Sequence, residues 1–284
     1  MMKRKLFRKN LTGDMAYYSY IPYRMREYTV SEDVLLKKQI ERIHRLFEEL
    51  NRCLDYTEDD ILDSLVVSEA RASWLLASDN AGNPFMIPDD TIYNEDIRNI
   101  ERAYRYAVDV LSEIPLCSRL FRDIHYIVCE SSTYDKKYRG EYRTSPVWIG
   151  SPGCVISEAS FIPPAGSDMT EAISDLEIFI NYSNLDAFVK AAMIHYQFEM
   201  IHPFIDANGR VGRIINTLFL YETGALQKPT LLFSHAISAS VGDYYNAIQH
   251  VNLTLDMDSW IRYFLSKLEC GVEYTIHHIT ARNG

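Results

Sequence analysis

Apolar residues recur every three to four positions through most of the chain, which is the spacing of one buried face on an amphipathic helix. The first such stretch is predicted to begin at Ser31, because serine favours the N-cap of a helix. Further helices are predicted over residues 58–77, 97–111, 169–180, 184–201, 211–222, 241–253 and 257–275. The stretch at 184–201 is apolar on most faces, which is typical of a buried central helix. The pattern therefore predicts an all-α bundle.

Two stretches depart from the helical period. Residues 1–30 combine proline, glycine and tyrosine without regular spacing, and we predict an extended arm or strand segment there. Between residues 139 and 164, β-branched and aromatic runs flank the turn-forming residues Gly150-Ser151-Pro152-Gly153. Residues 147–149 and 154–156 are therefore predicted to pair as a small β-hairpin.

The composition narrows the class of protein. The chain has 284 residues, of which 47% are apolar and 24% charged, so it can bury a core without disulfides. Its formal net charge of −10 argues against a nucleic-acid partner, because phosphate backbones select for clustered Lys and Arg. The five cysteines are scattered without C-x-x-C spacing, which favours a reducing compartment. No stretch approaches about eighteen uninterrupted apolar residues, so we expect no membrane span and a cytoplasmic location.

Reactive and charged residues are concentrated between two predicted helices, in the sequence His202-Pro203-Phe204-Ile205-Asp206-Ala207-Asn208-Gly209-Arg210-Val211-Gly212-Arg213. Pro203 disfavours helical geometry at His202, so this histidine is expected to project from the helix end. The loop opens onto the N-terminus of the next helix, whose unpaired N–H groups form an anion site. Arg210 and Arg213 lie on one side of that helix and suit a polyphosphate. Asp206 supplies a carboxylate that Mg²⁺ bridging the phosphates would need.

This stretch resembles the signature of the Fic family, H-P-F-x-[D/E]-G-N-G-R-x-x-R, at every specified position except Ala207, where the family most often has glycine. Alanine resists positive φ, so a left-handed backbone is less accessible there. The resemblance extends over roughly residues 135–270. It includes Gly140-Glu141-Tyr142-Arg143-Thr144-Ser145, which is similar to the start of the family's flap, and residues near Ser234 and Trp260, which are similar to helices around its adenine pocket.

The resemblance implies a Fic-type helical bundle with a small β-hairpin flap and an N-terminal helical extension. We divide the chain into an N-terminal helical region at 1–115, a catalytic domain at 116–275 and a tail at 276–284. The implied activity is that of a protein adenylyltransferase, which transfers AMP from ATP to a Ser, Thr or Tyr hydroxyl and releases pyrophosphate. ATP is then the co-substrate and Mg²⁺ the cofactor.

The resemblance also assigns roles to residues. His202 would be the general base and Asp206 the Mg²⁺ ligand. The nucleotide would be bound by Asn208, Gly209, Arg210, Val211, Gly212, Arg213, Tyr244 and Tyr245. Tyr244 and Tyr245 are equally compatible with core aromatics. His195, Glu199 and His202 share a helical face and allow a structural zinc site as a further alternative, although a hydrogen bond of His195 inside the core is favoured.

A flap would dock the target protein by strand addition. It comprises Thr144, Ser145, Pro146, Val147, Trp148 and Ile149. The expected partner is a protein with a hydroxyl side chain, which includes a second copy of this chain, and the sequence leaves homo-oligomerisation open. Arg139 and Arg143 are expected to form a solvated edge of the flap.

Many members of the family carry an inhibitory helix with the pattern [S/T]-x-x-x-E-[G/N], whose glutamate pairs with the second arginine of the signature. The predicted helix at 58–77 is its expected counterpart. In the favoured register Ser73 matches the Ser or Thr and Ala77 replaces the glutamate. In the weaker alternative Glu69 is the inhibitory residue, with Leu65 at the Ser or Thr position.

Other functions remain open on the same residues. The chemistry could transfer another phosphate-linked group, such as UMP or phosphocholine, or remove AMP from a protein. A different class is a catalytically silent interaction module, for example half of a toxin–antitoxin pair. The presence of His202, Asp206, Asn208, Arg210 and Arg213 argues against the silent module, because a fold without activity has no physical need for all five.

Overall fold

The helices of the protein surround one central helix. The computed structural model describes residues 6–12, 15–31, 33–77, 94–130, 136–151 and 153–283. Within these ranges two strands, β1 (Phe7–Thr12) and β2 (Met15–Tyr20), form an antiparallel hairpin. The helices are α1 (Val34–Asp55), α2 (Asp59–Leu76), α3 (Glu95–Val110), α4 (Ser118–Val128), α5 (Ser167–Tyr182), α6 (Ala187–Ile201), α7 (Asn208–Glu222), α8 (Phe233–Ser238), α9 (Val241–Thr254) and α10 (Met257–Asn283). The prediction of a mostly helical bundle is confirmed.

Helix α6 is the centre of the bundle, as its apolar composition predicted. It packs against α1, α5, α7 and α10, and both Met193 and Tyr196 are fully buried. It begins at Asp186, whose carboxylate accepts the backbone N–H groups of Phe188 and Val189. Since α6 is covered on nearly all sides, its C-terminal end is held rigidly at the place where the signature loop begins.

Some boundaries differ from the sequence prediction. Asp33, and not Ser31, caps α1, because its carboxylate accepts the N–H groups of Leu35 and Leu36. The short helices α4 and α8 were not predicted, and α10 continues beyond residue 275 to Asn283. Residues 78–88, whose Asn, Gly and Pro predict a loop, lie outside the described residues. The end of α7 agrees with the prediction, since Gly224 has a left-handed φ of 74°.

The predicted hairpin between 147–149 and 154–156 is wrong. Ile149 instead forms an isolated antiparallel bridge with Phe161, and Ile156–Glu158 is a short 3-10 helix. The intervening segment folds back on itself, because the indole N–H of Trp148 donates to the Cys154 carbonyl at 2.9 Å. This side-chain bond replaces the strand pairing that the turn residues suggested.

The extended N-terminal segment is the hairpin of β1 and β2, and it is attached to the segment that pairs with Ile149 of the flap. The N–H of Tyr20 donates to the Ile162 carbonyl at 2.8 Å, and the Tyr20 side chain is fully buried. Arg8 on β1 also pairs with Asp168 of α5 at 2.7 Å. The flap therefore has the N-terminal hairpin beside it. Among the described residues, none of the helices has the length and apolarity needed to cross a bilayer.

Candidate active site

The loop between α6 and α7 borders a cleft of about 900 Å³. Several structural elements supply its walls. The loop and the start of α7 contribute His202, Asp206, Ala207, Asn208, Gly209, Arg210 and Arg213. The flap and the N-terminal hairpin contribute Ile149, Phe161, Phe7, Tyr18 and Tyr20, the end of α2 contributes Leu76 and Ala77, and α9 contributes Tyr244 and Tyr245. The expected base, metal ligand and phosphate-binding residues thus share one cavity.

His202 ends helix α6 in a left-handed conformation, with φ 48° and ψ 59°. Its N–H still donates to Phe198, and Nδ1 lies 3.3 Å from the carbonyl oxygen of Glu199. A proton on Nδ1 would leave Nε2 as the basic nitrogen. Burial lowers the pKa of His202 to about 4, although the Glu199 carbonyl opposes this shift. The ring is therefore neutral near pH 7.

The loop after His202 is closed by Asn208. Its Oδ1 accepts the Phe204 N–H at 2.9 Å, and its Nδ2 donates to the Phe204 carbonyl at 3.0 Å. Ala207 has φ 60° and ψ 9°, so the alanine adopts the left-handed backbone that its side chain disfavours, at a cost of about 1–2 kcal/mol. The side chain of Asn208 shapes the loop, and its contact with phosphate stays a prediction.

The two arginines of the signature are buried and held by different partners. Arg210 pairs with Asp206, with 3.0 Å between Nη2 and Oδ2. Arg213 donates from Nε to the Ser73 hydroxyl at 2.9 Å and from Nη2 to the Ser73 carbonyl at 2.8 Å. Its Nη1 lies over Gly209, 3.0 Å from the position that a Cβ there would take. The third nitrogen of Arg213 therefore points along the N-terminal turn of α7.

The carboxylate of Glu199, which was expected only as a zinc ligand, lies beside these arginines. Glu199 faces Gly212, where a Cβ would lie 2.7 Å from its Oε1. Burial raises the pKa of Glu199 to about 7, and Arg213 opposes the shift. Its position one turn before His202 on α6 is the signal that could have placed it in the site.

Residues of the site fit the groups that the chemistry requires. Asp206 is half-exposed toward the cleft and offers carboxylate oxygen, the ligand that Mg²⁺ prefers. The N-terminal turn of α7, with its unpaired N–H groups, faces the same cavity and favours phosphate. A carboxylate, a helix N-terminus and two guanidinium groups together suit a metal-bound polyphosphate.

A comparison with known proteins bears on this arrangement. The family model described as the Fic/DOC family matches residues 115–220. This chain carries a Fic/DOC domain. The predicted boundaries at 116–275 and 276–284 are not tested by this match and stay predictions.

Relatives of the Fic domain include named protein adenylyltransferases. Protein adenylyltransferase fic-1 of Caenorhabditis briggsae is 24% identical over 180 residues, which cover 59% of this chain and 32% of that protein. The probable protein adenylyltransferase aq_aa38 of Aquifex aeolicus is 40% identical over 73 residues, 25% of this chain and 23% of that protein. The matches thus span about a third or less of these relatives' length.

Solved structures with the same fold include two bacterial Fic proteins. A Fic family protein from Desulfovibrio desulfuricans G20 has a TM-score of 0.67 and 19% identity, covering 88% of this chain and 76% of that one. A Fic domain containing signaling protein from Bacteroides thetaiotaomicron has a TM-score of 0.62 and 16% identity, covering 86% and 97%. At these sequence identities, the similarity to the two solved structures shows a shared fold alone.

In the Fic domain of this chain, Arg143 is buried, and the prediction of a solvated edge is wrong for this residue. Its guanidinium donates to the carbonyl oxygens of Ser145, Pro164, Ile201 and His202, at distances of 2.6–3.4 Å. Two of these carbonyls end helix α6, where a cation is favourable. Burial lowers the pKa of Arg143 to about 10. Arg143 therefore joins the flap to the end of the central helix.

Helix α2 occupies the place where an inhibitory helix of the Fic domain was expected. Ser73 contacts Arg213, and the exposed Ala77 follows at the edge of the cleft. Glu69 instead accepts the N–H of Ser234 at 2.8 and 2.9 Å, and its carboxylate is buried. Burial raises the pKa of Glu69 to about 8. Ser234 thus binds Glu69, away from the expected adenine side of the cleft.

The two candidate adenine residues differ in exposure. Tyr244 is 6% exposed, and its hydroxyl lies 3.0 Å from Nε2 of His195, whereas Tyr245 is 58% exposed on the cleft wall. His195 therefore makes the core hydrogen bond that was favoured for it. The described residues contain no group of three or more His, Cys, Asp or Glu side chains arranged to hold a metal ion. Trp260, fully buried, donates to the Ala192 carbonyl and belongs to the core.

Proposed function

We propose that this chain is a protein adenylyltransferase that transfers AMP from ATP to a hydroxyl side chain of a target protein. The observation that carries the proposal is the position of His202 at the cleft, next to Asp206 and the two arginines at the start of α7. A neutral base, a hard-metal ligand and a polyphosphate site in one cavity match phosphoryl transfer chemistry. The named adenylyltransferase relatives support the same class of reaction.

The reaction begins with the target hydroxyl. His202 removes its proton through Nε2 while the hydroxyl oxygen forms a bond to the α-phosphorus of ATP. The bond between the α-phosphorus and the bridging oxygen to the β-phosphorus breaks, and pyrophosphate leaves. The N–H groups at the start of α7 and the Arg210 guanidinium stabilise the negative charge that develops on the phosphate oxygens. Asp206 would hold Mg²⁺, which would supply positive charge to neutralise the phosphate oxygens.

Arg213 is held in advance of substrate binding. The two hydrogen bonds to Ser73 fix Nε and Nη2, and Nη1 is left directed along the N-terminal turn of α7. A guanidinium that is already oriented loses less conformational entropy when it binds phosphate. Arg213 thus binds the β- or γ-phosphate without leaving Ser73.

The flap presents the target to this phosphate. Ile149 of the flap borders the cleft, and Arg143 fixes the start of the flap to the carbonyl oxygens of Ile201 and His202 at the end of α6. Strand addition along the flap would place a target backbone beside His202 with little dependence on target sequence. We further propose that the chain lacks the inhibitory glutamate, because Ala77 offers no charge to compete with γ-phosphate at Arg213.

The position of a label in ATP tests the proposal. Wild-type protein is incubated with Mg²⁺ and ATP labelled on either the α- or the γ-phosphate, with a cell extract as a source of targets. We expect α-label on protein, and its loss in His202→Asn. Asparagine is the matched substitution, because it tolerates the left-handed backbone at position 202 better than alanine.

Each alternative function would give a different result in the labelling experiment. Transfer of γ-label would identify a kinase and contradict the proposal. Labelled protein only with UTP or a phosphocholine donor would indicate another transferred group, and release of AMP from modified protein would indicate hydrolytic removal of AMP. Absence of any label would favour the silent interaction module.

A further inference from the structure

His125 lies between the flap and the signature loop, although it belongs to neither. It is on helix α4 and is 3% exposed. On one side, its Nδ1 accepts the N–H of Gly140 at 2.9 Å. The carbonyl of Gly140 accepts from Nε of Arg122, also on α4, at 2.7 Å. Helix α4 thus binds both backbone polar groups of Gly140, the residue at the start of the flap.

The conformation of Gly140 makes this attachment specific. Its φ is 71°, which favours glycine, and a Cβ there would lie 3.0 Å from the Arg122 carbonyl and 3.2 Å from the Tyr126 side chain. The chain therefore turns sharply against α4 at this residue. Three residues later Arg143 enters the core, so the course of the flap is set within this short segment.

On its other side, the His125 ring covers the signature loop. It stacks on Phe204 with ring centroids 3.8 Å apart and an interplanar angle of 3°. Phe204 is fully buried, and Asn208 binds both of its backbone polar groups. One imidazole therefore contacts the flap start and the loop that contains His202 and Asp206.

The chemistry of the ring suits both contacts. Acceptance of the Gly140 N–H requires a lone pair on Nδ1 and places the ring proton on Nε2. Nε2 lies 3.3 Å from the sulfur of Cys129. A flat ring with one acceptor can stack on Phe204 and accept the Gly140 N–H at the same time. Phenylalanine lacks the acceptor, and asparagine lacks the ring.

We propose that His125 is a positioning residue that fixes the flap relative to the signature loop, so that the target hydroxyl and the α-phosphate remain aligned. The proposal rests on the proposed AMP transfer, in which the flap holds one reactant and the loop the other. Misplacement by about 1 Å between reacting groups can cost roughly a hundredfold in rate. Nucleotide binding depends on the start of α7, which His125 does not contact through either nitrogen.

Two substitutions separate the two contacts of His125. His125→Phe keeps a flat ring against Phe204 and removes the acceptor for Gly140, whereas His125→Asn keeps an amide oxygen near the Nδ1 position and removes the stacking. His277→Phe, at an exposed position of α10, is the matched control for the change of histidine to phenylalanine. Three quantities are measured: hydrogen exchange of the Gly140 amide, kcat for AMP transfer, and the Kd for ATP.

In His125→Phe we expect faster exchange at Gly140, a fall in kcat of about 10–100-fold, and a Kd for ATP within about threefold of wild type. His125→Asn should protect Gly140 better than His125→Phe does, and His277→Phe should change none of the three quantities. If His125→Phe does not fold, the exchange at Gly140 and kcat are compared in His125→Asn, which must then lose rate without losing ATP affinity.

Two outcomes would overturn the proposal. One is unchanged exchange at Gly140 in His125→Phe, which would show that the hydrogen bond does not hold the flap. The other is faster exchange with an unchanged kcat, or a lower melting temperature as the sole effect, which would make the contact structural only. Failure of the proposed function is recognised separately, because wild type would then transfer no AMP while the exchange measurement still reports on the flap.

Discussion

Arg213 of helix α7 donates two hydrogen bonds to Ser73 of helix α2, one to its hydroxyl oxygen at 2.9 Å and one to its carbonyl oxygen at 2.8 Å. The pair joins the N-terminal helical region to the phosphate side of the cleft. The residue one turn after Ser73 is Ala77, at the cleft edge. Helix α2 therefore orients the arginine that the proposed reaction uses, and we propose that a charge at position 77 would compete for it.

The first prediction concerns this position. In Ala77→Glu, a carboxylate at the cleft edge can pair with Arg213 and compete with γ-phosphate, and a partly buried pair of this kind is costly to break. We expect the KM for ATP to rise at least about tenfold. Steady-state AMP transfer measures this, with Ala77→Gln as the uncharged control. Equal activity of the two variants would show that position 77 does not reach Arg213.

The second prediction concerns Gly209. A methyl group there would lie 3.0 Å from Nη1 of Arg213 and displace the guanidinium. We expect Gly209→Ala to weaken ATP binding roughly tenfold, which isothermal titration measures. Loss of folding is not the reason, because alanine favours the helix by about 1 kcal/mol relative to glycine.

A matched glycine provides the control for this prediction. Gly242 lies in the first turn of α9, and a Cβ there would meet no atom within 4 Å. Gly242→Ala should leave ATP affinity unchanged. Wild-type affinity in Gly209→Ala would mean that Arg213 has room to move and that its position is not set by Gly209.

The third prediction uses the buried carboxyl of Glu69. Burial raises its pKa to about 8 in the folded protein, above the ordinary value of 4.5, so the folded state binds the proton more tightly. The stability that this group contributes is present below about pH 4.5 and is lost as the pH rises to about 8. The loss is about 1.4 kcal/mol per pH unit within that window.

Glu69→Gln tests the sign of this dependence. The amide stays neutral and can still accept the Ser234 N–H, so the free energy of unfolding should fall less from pH 5 to pH 8 than in wild type. Urea unfolding at several pH values measures it, with Glu41→Gln at an exposed position of α1 as the control. Parallel pH curves for wild type and Glu69→Gln would contradict a raised pKa.

The fourth prediction concerns how kcat/KM changes as the pH is lowered. A general base must be neutral, and burial lowers the pKa of His202 to about 4. The value of kcat/KM should therefore change less than about twofold between pH 7.5 and 5.5 on account of this residue, whereas an ordinary histidine with a pKa of about 6.5 would lose about tenfold. A midpoint near 6.5 in the imidazole NMR titration of His202, identified as the signal that is missing in His202→Asn, would show that the pKa is not lowered.

The sequence predicted where the signature side chains lie because its signals are local. Pro203 ends α6 at His202, and the two arginines follow at helical spacing, so the positions of base and cations depend on residues close together in the chain. Ala207 is the instructive exception. Its φ of 60° was disfavoured by its own side chain, and the closed loop between Phe204 and Asn208 imposes it.

The remaining features depend on contacts between distant segments. Arg143 is buried because carbonyl groups from residues 145, 164, 201 and 202 surround it, which no local pattern records. Glu69 is directed to Ser234 by packing of α2 against α8. Ile149 pairs with Phe161 because the turn residues between them fold into a longer loop. Helix α4 is different, since the apolar spacing of Leu120, Ile124 and Val128 was present in the sequence.

The stoichiometry of products tests whether the chain transfers AMP with His202 as the base. Purified protein is incubated with α-labelled ATP and an acceptor identified in the extract experiment, and protein-bound label and free pyrophosphate are counted in the same reaction. In wild type we expect one pyrophosphate for each AMP bound to protein. In His202→Asn we expect neither pyrophosphate nor protein-bound AMP. Release of ADP with phosphorylated protein, or labelled protein of equal yield in His202→Asn, would contradict AMP transfer with His202 as the base.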